Sequence, residues 1–136
     1  MQKNDLLYVT TTGTTAVAAN GLIPFSTIAR RRGCALDLEN NSILLKKPGY
    51  YKVSGTITFT APAAGVVSIQ AQKSGTAIPG LLTGATVTTA ATQVITLPIE
   101  GIVRVLCCDG SSTLTLLNTG VAITLTNLSL DVVYLG

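Results

Sequence analysis

Residues 51–60 alternate with period two, and no stretch of the chain carries a helical stripe of comparable length. Tyr51, Val53, Gly55, Ile57 and Phe59 fall on one side of such a segment, and Lys52, Ser54, Thr56, Thr58 and Thr60 on the other. Successive side chains of a strand point to opposite faces, so this pattern describes a strand with one face in a core and the other toward polar surroundings. Pro48-Gly49 starts it and residues 61–65, with Pro62 and Gly65, end it. Further strands are expected over 36–38 and 43–45, joined as a hairpin through Glu39-Asn40-Asn41-Ser42, and over 66–73, 87–97, 102–108, 113–117, 123–125 and 128–135. Many short strands separated by turn signals at regular spacing give an all-β fold, a sandwich or barrel.

Length bounds the organisation. A chain of 136 residues makes one domain, with no linker or internal repeat to divide it. Residues 1–136 are therefore read as a single domain, with 1–20 as an N-terminal arm or edge strand. Only 11% of the residues are charged while 47% are hydrophobic, against about 25% charged in an ordinary soluble domain. The 21 threonines partly fill that gap, since threonine suits a pleated surface. A surface this poor in charge is expected to be rich in hydroxyls and to carry apolar patches that meet another subunit.

The same composition argues against several functions. The chain has no histidine, so the commonest general base and metal ligand is missing. Its six carboxylates are scattered, and Asp109 beside Cys108 opposes thiolate formation rather than favouring it. No glycine-rich phosphate loop opens a helix. A net charge of +3 without aromatic interleaving does not describe a nucleic-acid surface. No apolar run reaches the length of a membrane span. The N-terminal residues lack the pattern of a signal peptide, and the chain opens on Met1, so a complete product made in the cytoplasm is expected. No enzyme activity, cofactor, metal or nucleic-acid partner is expected.

Three features keep two readings open. Cys34, Cys107 and Cys108 are an odd number, which argues against a disulfide framework. They read as reduced and mostly buried thiols, with a zinc site as the remote alternative. Arg30-Arg31-Arg32, read as a loop, either supplies solubility or grips a phosphate or an acidic patch on a partner. Tyr50 and Tyr51 offer either a sugar-stacking platform or, since Tyr51 is in phase with Val53 and Ile57, one core and one exposed or interfacial ring.

The run Ile43-Leu44-Leu45-Lys46-Lys47-Pro48-Gly49-Tyr50-Tyr51-Lys52-Val53 resembles the hairpin pattern I-x-L-x-x-P-G-x-Y-x-V of the C1q/TNF-like jelly rolls, and most of all their bacterial and phage branch. The likeness extends through residues 64–70, through Ala77-Ile78-Pro79-Gly80, which is similar to a turn of that family, and through residues 126–133. The chain has no collagen-like Gly-X-Y tract of the kind that precedes such heads in spore-surface proteins. The resemblance implies a two-sheet antiparallel jelly-roll sandwich assembled as a homotrimer. It also implies a non-enzymatic structural protein, foremost a virion component of a phage such as a capsid decoration, fibre or baseplate module. The alternatives are a receptor- or glycan-binding head and a bacterial or spore-surface trimerisation domain. The expected partners are copies of the chain itself and other virion or surface proteins.

The last strand points to where subunits would meet. Leu128, Leu130, Val132 and Tyr134 share one face and Val133 and Leu135 the other, so both faces are apolar. One sheet-on-sheet core covers only one of them. Leu130, Val132, Val133, Tyr134, Leu135 and Tyr50 are accordingly the candidate subunit-interface residues, with Arg30, Arg31 and Arg32 as candidates for binding a partner.

Overall fold

The computed structural model describes residues 5–39, 41–106 and 112–136. Ten strands occur among them, in chain order β1 (Leu6–Val17), β2 (Thr27–Arg32), β3 (Leu36–Glu39), β4 (Ser42–Leu45), β5 (Gly49–Thr60), β6 (Gly65–Lys73), β7 (Thr76–Val87), β8 (Ile95–Val105), β9 (Ser112–Asn118) and β10 (Ile123–Tyr134). They form two five-stranded sheets, β2-β1-β10-β5-β8 and β3-β4-β9-β6-β7. Every pairing is antiparallel. The sheets face each other as a jelly-roll sandwich. No helix long and apolar enough to cross a membrane occurs among the described residues.

The core follows from the alternation. Leu7 and Val9 of β1, Tyr51, Val53, Ile57 and Phe59 of β5, and Leu128, Leu130 and Val132 of β10 are fully buried from the first sheet. Ile43, Leu45, Val67, Ile69, Leu114 and Leu116 meet them from the second. Each large aliphatic or aromatic side chain buried this way contributes about 1.5–3 kcal/mol. Two buried polar side chains are fully engaged. The Thr11 hydroxyl donates to the Pro24 carbonyl (2.6 Å) and accepts from the Ser26 amide (3.1 Å). Asn118 donates to the Val121 carbonyl (2.9 Å) and accepts from the Gly120 amide (3.0 Å). Both hold loops that a sandwich would otherwise leave loose.

Several expectations need correction. The segment 1–20, expected as an arm or edge strand, supplies β1, which lies inside its sheet with β2 on one side and β10 on the other. Polar threonines obscured it, because only Leu7, Val9 and Val17 give its inner face away. The strand expected over 87–97 is the end of β7, a loop and the start of β8. The loop is held by the Gln93 side-chain carbonyl, which accepts from the Thr88 amide (2.9 Å) and the Thr89 amide (3.0 Å). Pro79-Gly80 lies within β7 and Pro98 within β8. Each is an edge strand of its sheet, where a missing N–H leaves no ladder bond broken. Segments 123–125 and 128–135 are one strand interrupted by a bulge between Leu125 and Asn127. Arg30-Arg31-Arg32 lies on the edge strand β2 rather than in a loop. Cys34 is exposed, against the expectation of burial, and Cys107 and Cys108 lie outside the described residues.

Candidate subunit interface

The outward face of the β2-β1-β10-β5-β8 sheet is built in rows, because strand register places one outward residue of each strand side by side. The first row runs Arg32, Leu6, Val133, Lys52, Ile102. The second runs Arg30, Tyr8, Asp131, Ser54, Glu100. The third runs Thr27, Thr10, Ser129, Thr56, Pro98. The face thus grades from apolar and basic, through a charged row, to hydroxyls.

At the apolar end, Tyr50 is 47% exposed, Ile102 58%, Leu106 46% and Leu135 46%. Tyr50, Ile102 and Leu135 lie close together by register, and Leu106 follows the end of β8 beside Lys73, Thr76 and Ser112. The Leu135 amide donates to the Tyr50 carbonyl (2.7 Å). Tyr50 is paired with Arg104, whose guanidinium sits 5.8 Å from the centre of the Tyr50 ring. A cleft of about 470 Å³ continues this end around the β8 edge, walled by Ile78, Pro79, Ile102 and Arg104. Beyond it the polar rows are tied by their own side chains. Ser54 donates to the Asp131 carboxylate (2.7 Å), the Thr56 and Ser129 hydroxyls meet at 3.2 Å, and those of Thr58 and Thr96 at 3.0 Å.

The expected interface residues divide by strand phase. Leu130 and Val132 are fully buried within the sandwich, so they have no surface for a second copy. Tyr134 also turns inward. Its ring stacks at a tilt against Tyr51 (centroids 4.9 Å apart), and its hydroxyl donates to the Pro48 carbonyl (2.6 Å). Val133, Leu135 and Tyr50 are on the outward face. Ile102, Leu6 and Tyr8 share that face but were not singled out from the sequence. The signal was present in β8, where Ile102 and Arg104 alternate with Val103 and Val105. Tyr51 is fully buried, so Tyr50 and Tyr51 form no shared stacking platform.

The three arginines have separate fates. Arg31 points toward the second sheet and pins the two sheets at this edge. Its Nη1 lies 3.3 Å from Asp37 Oδ1 and its Nη2 donates to the Leu36 carbonyl (3.4 Å). Asp37 also accepts from the Leu38 amide (2.9 Å) and lies 3.5 Å from Lys46 Nζ. The Leu38 N–H bond, helped by Arg31 and Lys46, holds the Asp37 carboxyl below its ordinary 3.8. Arg30 and Arg32 flank the outward face. No group of three His, Cys, Asp or Glu side chains placed to hold a metal occurs among the described residues.

No family model matches this sequence, and no curated protein sequence matches it. Solved structures do. The chain is similar to murine APRIL (TM-score 0.74, 11% identity, 98% of this chain and 100% of that one). It is similar to the PRD1 vertex protein P5 (TM-score 0.66, 14% identity, all of both chains). It is also similar to the globular domain of the zebrafish complement 1qA protein (TM-score 0.61, 9% identity, 95% of this chain and 94% of that one). The chain has the C1q/TNF-like jelly-roll fold.

Proposed function

We propose that this chain is a non-enzymatic assembly protein that forms a homotrimer and serves as a structural component on the surface of a phage particle. The observation that carries the assembly is the cluster of Tyr50, Ile102 and Leu135 on one end of one sheet face, with Leu6 and Val133 beside them. Three large exposed apolar side chains gathered in one place mark a contact surface, where scattered ones would mark nothing. In a chain with 11% charged residues, covering that end takes three of the large exposed apolar side chains out of water, while Leu22, Val66, Leu82 and Val94 are exposed elsewhere. A ring of copies does so without any added segment. Obligate interfaces of this kind bury more than about 2,000 Å² and are apolar at the centre. The jelly-roll fold shared with APRIL and with complement 1qA supports a threefold ring, and likeness to a vertex protein over the whole chain supports the particle.

Particle composition tests the virion role. An antibody against the assembled protein should decorate intact particles purified from a lysate of the host. Antigen found only in the free protein fraction would overturn the virion role and leave the assembly standing.

A further inference from the structure

A sheet that packs into a ring must offer two different edges to its neighbours, because a closed ring of three uses head-to-tail contacts. Rotation about an axis keeps every residue at its height along that axis. When the strands run along the axis, one register row of a copy therefore meets the same row of the next. The charged row runs Arg30, Tyr8, Asp131, Ser54, Glu100. It ends in a cation at the β2 edge and in an anion at the β8 edge.

The two ends differ in how they are engaged. Arg30 is exposed, and its Nη1 donates to the carbonyl of its own neighbour Ala29 (2.9 Å). Among the described residues no carboxylate lies within ion-pair distance of it. The Glu100 side chain is 66% exposed, and among the described residues its one salt-bridge partner, Lys52 Nζ, lies 3.5 Å away, which leaves a carboxylate oxygen able to accept from a second cation. Asp131, in the middle of the row, is already met by the Ser54 hydroxyl. The rows on either side carry no carboxylate: Ile102 ends one and Pro98 the other. Among these three rows, the edge anion that could answer Arg30 occurs at one height.

We infer that the β2 edge of one copy docks beside the β8 edge of the next, with Arg30 of one paired to Glu100 of the other, and that this pair fixes the height at which copies join. The inference rests on the ring assembly proposed above. It assigns the apolar end to affinity and the charged row to register, since a slip of one row would set Arg30 against Ile102 or Pro98 and desolvate it without a partner. Charges placed in this way select among alignments more than they add to binding.

Charge reversal tests it. Arg30→Glu and Glu100→Arg should each raise the concentration at which the assembly dissociates by about tenfold or more, the effect of setting like charges across a contact. The double reversal should return it close to wild type. Circular dichroism should show the sandwich intact in each. Because Lys52 lies close to Glu100, a double-mutant cycle with Arg30→Gln and Glu100→Gln gives an independent reading, and the two losses should be non-additive. A wild-type trimer whose single reversals leave assembly unchanged, or whose double reversal fails to restore it, overturns the pair and spares the ring. A monomeric wild type overturns the ring itself.

Discussion

The Tyr51 hydroxyl grips both backbone groups of Lys47, donating to its carbonyl at 2.6 Å and accepting from its amide at 3.1 Å. This closes the turn through Pro48-Gly49 and sets the entry angle of β5. Tyr51→Phe keeps the ring in the core but leaves two part-buried backbone groups without that partner. A loss of about 1–3 kcal/mol is expected by denaturant unfolding. Burial is the main reason the Tyr51 hydroxyl titrates above its ordinary 10.0. The folded state therefore holds this proton after the unfolded state has lost it. The stability it contributes is complete below pH 10 and is lost as pH rises through the higher folded value. The difference between wild type and Tyr51→Phe should be constant to about pH 10 and shrink above it; a difference that is flat to pH 11 would contradict this.

Asp37 behaves in the opposite sense. Its folded value is lowered, so its contribution is present above the ordinary 3.8 and is lost as pH falls through the lower folded value. The side chain is 36% exposed, so solvent screens the ion pairs and Asp37→Asn should cost no more than about 1 kcal/mol at pH 7. Between pH 5 and 8 the chain should show a flat melting midpoint, since it has no histidine. A steep change within that window would place a titrating group where none is expected.

Gly55 sits on the inward phase of β5, between Val53 and Ile57. A Cβ there would press on the Ser129 carbonyl oxygen and lie 2.9 Å from Leu130 Cα. The strand paired alongside leaves no room, and backbone cannot swing aside as a side chain tip does. Gly55→Ala should destabilise by about 1–3 kcal/mol, as overpacking does. A neutral result in thermal unfolding would contradict this packing.

The two faces of β5 should respond differently to charge. Val53→Asp puts an unpaired carboxylate in the core, at a cost of several kcal/mol, and should leave the protein insoluble. Thr56 is exposed beside Ser129, so Thr56→Asp should leave the fold of each copy intact, as read by denaturant midpoint. Equal damage at both positions would contradict the assignment of faces.

How much of this was legible depended on whether a strand buries one face with large apolar residues. β5, β6, β9 and the β3–β4 hairpin do so, and their bounds and phases follow from the alternation; Asn41, with a φ of +63°, supplies the left-handed residue the hairpin needs. β7 and β8 were misdivided because proline and glycine were taken for turns. Edge position is a tertiary fact that local spacing does not carry. The outward face of the first sheet was half visible. Val133, Leu135 and Tyr50 were found in the last strand and at the start of β5. Leu130 and Val132 were misplaced because an apolar run on both sides of a strand does not say which side faces the partner sheet. The roles of Arg31 and Arg30 differ through strand phase, Arg31 pairing with inward Leu7 and Arg30 with outward Tyr8, which a run of three arginines does not display.

Mass in solution tests the central claim most directly. At low micromolar concentration, light scattering should give about three times the 14.0 kDa of one chain, within the range where obligate interfaces hold. Val133→Lys and Leu135→Lys, on the outward face, should reduce that mass toward one chain while far-ultraviolet circular dichroism keeps its β-sheet signal. A wild-type protein that scatters as a single chain, or a trimer indifferent to both substitutions, would contradict the assignment of this face as the subunit contact.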